Sequence, residues 1–173
     1  MMAGRKKAKN DVFKLMELMA LTLERSRHRT LELLSQVPEG LLAWSPSVGK
    51  FSIEAIFRHI YEIDLRWRTA LEGPGAEPPP ATDDAGNPLS LVQILQWSGK
   101  WRADFVCFDE GEQLFKHYDA PGGGDSLGFD AMQYLLRHEA YNQAVIVGYL
   151  RAMGLEGRAI HCFCHELGVD LKR

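Results

Sequence analysis

At 173 residues, 46% hydrophobic and 25% charged, the chain has the size and balance of one globular domain. Its net charge of −3 is uneven: residues 1–10 hold Arg5, Lys6, Lys7 and Lys9 and no acid, which leaves −7 on the rest (−3 less the +4 of that segment). An acidic body argues against a nucleic-acid face, no apolar run approaches the ~18 residues that span a bilayer, and three cysteines make no disulfide framework.

Residues 1–10 read as a mobile basic tail without the apolar stretch of a signal peptide, and a reducing, cytoplasmic location follows from the cysteine usage. Val12, Leu15, Met16, Met19, Leu23, Leu31, Leu34 and Val37 recur at three- and four-residue steps and predict a first long helix. It stops near Pro38-Glu39-Gly40. Trp44-Ser45-Pro46 is extended, because a residue before proline avoids the α region. Ser52 caps a second helix with the stripe Ile53, Ile56, Ile60, Ile63 and Trp67, and His59 lies on or beside that stripe. Residues 72–88, with Pro78-Pro79-Pro80 in their middle, form a crossover long for a compact domain.

A capping box, Ser90-Leu91-Val92-Gln93, opens the third helix, which carries Leu91, Ile94, Leu95, Trp97, Trp101, Phe105 and Phe108 and ends near Gly111. Residues 119–128 are a glycine-rich loop. The fourth helix runs from about Asp130 through Leu135, His138, Asn142, Val145 and Tyr149, with Gly154 as its terminating glycine. No strand is expected. The fold class is all-α, a four-helix bundle over residues 11–154 with a long crossover, followed by an extension, 155–173, with a short helix around residues 160–167.

The chemistry concentrates on the fourth helix. His138-Glu139-Ala140-Tyr141-Asn142 has the form His-Glu-x-x-Asn, where a helical metal site would read His-Glu-x-x-His. Residues 138 and 142 are one turn apart and share a face, so with His59 from the second helix three nitrogen- or oxygen-bearing side chains could meet inside the bundle. A carboxamide is a weaker, harder donor than imidazole, better suited to manganese than to zinc or nickel. Glu62 and Glu139 read as surface or salt-bridge residues. In the extension, His161-Cys162-Phe163-Cys164-His165 is dense in soft ligands but fits no common zinc spacing, and an amphipathic tail is the simpler reading.

Together, Trp44-Ser45-Pro46, the run Phe51-Ser52-Ile53 with His59-Ile60, Glu62 and Trp67, the segment His138–Ile146, and the close Tyr149-Leu150-Arg151-Ala152-Met153-Gly154 resemble the DinB-like (YfiT-type) superfamily of bacterial four-helix bundles. The resemblance implies a divalent metal (zinc, nickel or manganese) held at His59, His138 and the position of Asn142, where the family's usual histidine is replaced. It implies a homodimer acting on a small molecule as a metal-dependent hydrolase or thiol transferase; the acidic body and the want of a spanning apolar run leave no nucleic acid and no membrane as partner. The alternative is a non-catalytic member with a degenerate metal site, a ligand-binding or structural dimer.

Overall fold

The computed structural model describes residues 2–73, 75–76, 80–155 and 157. The tail motif at His161, Cys162, Cys164 and His165, and the short helix expected there, lie outside the described residues. Four helices carry the fold: α1 (Met2–Gln36), α2 (Ile53–Glu72), α3 (Leu91–Cys107) and α4 (Gly128–Ala152). α1 packs chiefly on α3 and α2 on α4, while α1–α4 and α2–α3 contacts close the bundle.

The helix ends follow from their sequences. Ser52 accepts a hydrogen bond from the Ala55 amide at the start of α2, and Ser90 and Gln93 form a reciprocal box at the start of α3. α4 closes with a Schellman pair: the Leu155 amide donates to the Leu150 carbonyl and the Gly154 amide to that of Arg151. Gly154 takes the left-handed φ of 74° that this termination requires.

Two expectations fail. The glycine-rich segment is a small antiparallel hairpin, β1 (His117–Asp119) and β2 (Asp125–Leu127), pairing Tyr118 with Ser126. Its turn needs positive φ at Gly123 and Gly124, which glycine supplies without strain. Three-residue strands are too short to show an alternating pattern, so the sequence hides them. α3 also stops earlier than expected, at Cys107. A 3-10 segment, Phe108–Phe115, follows, in which Asp109, Glu110 and Gly111 all have positive φ.

The core is divided along the bundle axis. One apolar cluster joins Leu33, Leu34 and Val37 of α1 with Ile53, Ile56, Phe57 and Ile60 of α2, Leu95 of α3, and Ile146, Val147 and Leu150 of α4. A second joins Met16, Met19 and Leu23 with Trp67, Leu71, Trp101, Phe105, Met132 and Leu135. Between them, on all four helices, the buried residues are polar: Ser26, Arg27 and Thr30, then Asp64, then Ser98 and Arg102, then Glu139, Asn142 and Gln143.

Candidate functional site

The polar layer has two parts, an inner ring of charges and an outer pair of histidines. In the ring each helix gives one charged side chain, alternating in sign. Arg27 Nη2 donates to Asp64 Oδ2 at 2.6 Å, and Arg102 Nη2 to Glu139 Oε2 at 2.6 Å. Arg27 Nε lies 3.0 Å from Glu139 Oε1, and Arg102 Nε lies 3.8 Å from Asp64 Oδ1; both contacts are ion pairs without hydrogen-bond alignment. Thr30 and Ser26 hydroxyls donate to the two Glu139 oxygens, at 2.5 and 3.2 Å.

All four charges are nearly inaccessible to water, and isolated charges at that depth would neutralise. Pairing prevents it. Burial alone would raise the Glu139 pKa, but Arg102 and Arg27, with the Thr30 hydroxyl, hold it down at about 2. Burial would likewise weaken Arg102 as a cation, and Asp64 and Glu139 more than offset that, raising its pKa above the ordinary value.

One residue before Glu139 on α4, His138 points to the other side, toward α2. His59 meets it there: the two Nε2 atoms are 3.1 Å apart and the rings lie edge to face, with centroids 4.9 Å apart. Both imidazoles are half-buried, and each is flanked by a nearly parallel aromatic ring. Phe51 lies beside His59, at 6.3 Å, and Tyr134 beside His138, at 5.9 Å. Phe51 is 68% and Tyr134 42% exposed, so the pair sits at an open, aromatic-framed lip of the α2–α4 contact. The His138 pKa is lowered, first by burial and then by His59, against a smaller opposing pull from Asp64 and Glu139. Near neutral pH the ring is uncharged.

Asn142 completes the cluster. Buried one turn along α4, its Nδ2 donates to the His138 carbonyl at 2.8 Å and lies 3.2 Å from His138 Nε2. The structure thus brings together all three residues singled out in the sequence, His59, His138 and Asn142. Glu62 is exposed and takes no part, and Glu139 belongs to the ring. His117, given no role from sequence, is hydrogen-bonded to Asp125 on the hairpin.

A metal centre asks for more than this set provides. Two imidazole nitrogens on one ion, at about 2.0–2.1 Å each, stand roughly 2.9–3.4 Å apart, which His59 and His138 match. The third side chain does not, because Asn142 turns its amide N–H, and not its oxygen, toward His138 Nε2. Among the described residues no three His, Cys, Asp or Glu side chains come together to hold a metal. The residues do not fit a three-donor divalent-metal site.

The family model of the DinB superfamily matches residues 22–146, most of the chain and all three cluster residues. The fold is similar to the crystal structure of a DinB-like protein, YjoA, from Bacillus subtilis, with a TM-score of 0.62 and 18% identity over 81% of this chain and 94% of that one. No curated protein matches the chain. No helix among the described residues is long and apolar enough to cross a membrane.

Proposed function

From the premise that this chain belongs to the DinB superfamily, we propose that it is a small-molecule-binding bundle whose site is the His59–His138–Asn142 lip, working without a three-donor metal centre. One observation carries this reading: the amide N–H of Asn142 faces the imidazole nitrogen that a metal would need. What remains is a hydrogen-bonding cluster between exposed aromatic rings, and such a mix of apolar walls and a few placed polar groups suits a small ligand.

The test uses chelator-treated protein and two neutral planar probes, imidazole and benzamide, with the His59 and His138 ring signals followed by NMR. Saturable shifts at both rings in the wild type, with the His138 shift abolished in His59→Ala, support the reading, and no shift at either ring overturns it. The metal-dependent hydrolase or thiol transferase is the second reading, favoured by the 3.1 Å between the two Nε2 atoms. One equivalent of bound metal in protein purified without chelator, lost in His59→Ala, would put it first.

A further inference from the structure

His138 and Asn142 are one helical turn apart, and both reach the face of α4 that meets His59. What the third side chain presents decides what the site accepts. The Asn142 amide atom 2.8 Å from the His138 carbonyl has to be the nitrogen, because an amide oxygen there would meet another carbonyl oxygen. The same NH2 group lies 3.2 Å from His138 Nε2. That ring nitrogen must then present its lone pair, since a proton on it would face the amide protons. His138 is therefore the Nδ1–H tautomer, and the His59 Nε2–H, 3.1 Å away, donates to the same lone pair.

We propose that Asn142 is the selectivity residue of this site: it locks His59 and His138 into a pair sharing one proton across their Nε2 atoms and so excludes divalent cations. The position a cation would take is filled by two N–H groups that repel it, and the carboxamide oxygen points away. The lip then selects neutral ligands that exchange hydrogen bonds with the two imidazoles. The inference rests on the assignment of the site made above and concerns what the site rejects, so it stands or falls separately from any ligand.

Asn142→His would place a third imidazole at the i+4 position, and Asn142→Asp a carboxylate oxygen. Both convert a cation-repelling group into a donor. The experiment titrates chelator-treated wild type, N142H and N142D with zinc chloride and nickel chloride by calorimetry. In parallel, long-range 1H–15N NMR reads the ring tautomers of the metal-free wild type. Expected are an unprotonated Nε2 at His138 in the wild type, and zinc binding about 100-fold or more tighter in N142H, since even partners outside the ligand set move metal affinity by roughly 10–100-fold. Adding His59→Ala to N142H should abolish the gain. A protonated Nε2 at His138 in the wild type overturns the inference. So does wild-type zinc affinity within about tenfold of a folded N142H or N142D. The tautomer measurement needs no variant, and failure of the planar probes to bind leaves both arms intact.

Discussion

Glu139→Gln is the sharpest perturbation this fold offers. The substitution keeps shape and removes one charge, so Arg27 and Arg102 are left facing Asp64 alone, with one uncompensated positive charge between two apolar clusters. Breaking a buried ion pair by removing one partner costs about 3–5 kcal/mol. A second route gives a similar size: lowering a carboxylate from 4.5 to about 2 corresponds to about 3 kcal/mol of native-state preference for the charged form. Against a domain stability of roughly 5–15 kcal/mol this is a large fraction, and for a chain of this length it lowers the melting temperature by roughly 6–20 °C. The sign with pH is fixed by the depressed value. The stabilisation is fully present above pH 4.5 and is lost as pH falls toward 2, a dependence that E139Q lacks. Urea unfolding followed by far-UV circular dichroism at pH 7 and at acid pH measures both. The double variant with Arg102→Met, which restores neutrality, should recover part of the loss. An E139Q protein within about 0.5 kcal/mol of wild type, a change typical of surface sites, would refute the buried ring.

Two further outcomes are expected. Because His138 titrates below its ordinary 6.5 in the fold, the unfolded chain takes up that proton first. Stability should therefore decline as pH drops below 6.5, and His138→Gln should flatten that decline in pH-dependent thermal melts. Gly128→Ala would set a methyl group 2.2 Å from the Gln113 carbonyl oxygen at the start of α4, and its chemical-denaturation midpoint should report a loss of about 1–3 kcal/mol.

The helices were legible because their ends carry recognisable chemistry, Ser52, Ser90 with Gln93, and Gly154, and because apolar residues recur at helical spacing. The cluster was legible because His138 and Asn142 stand one turn apart. Its hydrogen bonding was not, since only the fold shows which end of the Asn142 amide faces His138. The ring of charges left a fainter trace. In α2 the buried stripe runs Ile53, Ile56, Ile60, Asp64, Trp67, Leu71, so an acid occupies a core position. Arg27 follows Leu23 in α1, Arg102 stands between Leu95 and Phe105 in α3, and Glu139 follows Leu135 in α4. Each residue alone reads as a surface charge. Four such gaps, two acidic and two basic, form a signal only when the helices are laid side by side.

That ring also governs alignment. Two greasy bundle halves alone would tolerate a helix sliding by a turn, about 5.4 Å, because leucine meets leucine as well in the new place. With the charges present, the same slip strands a guanidinium among methyl groups, and the misaligned packing is rejected. His138 precedes Glu139 on the same turn, so the α2–α4 lip inherits this fixed setting. Two imidazoles can therefore be held at hydrogen-bonding distance by an anchor behind them, with no ion needed between them.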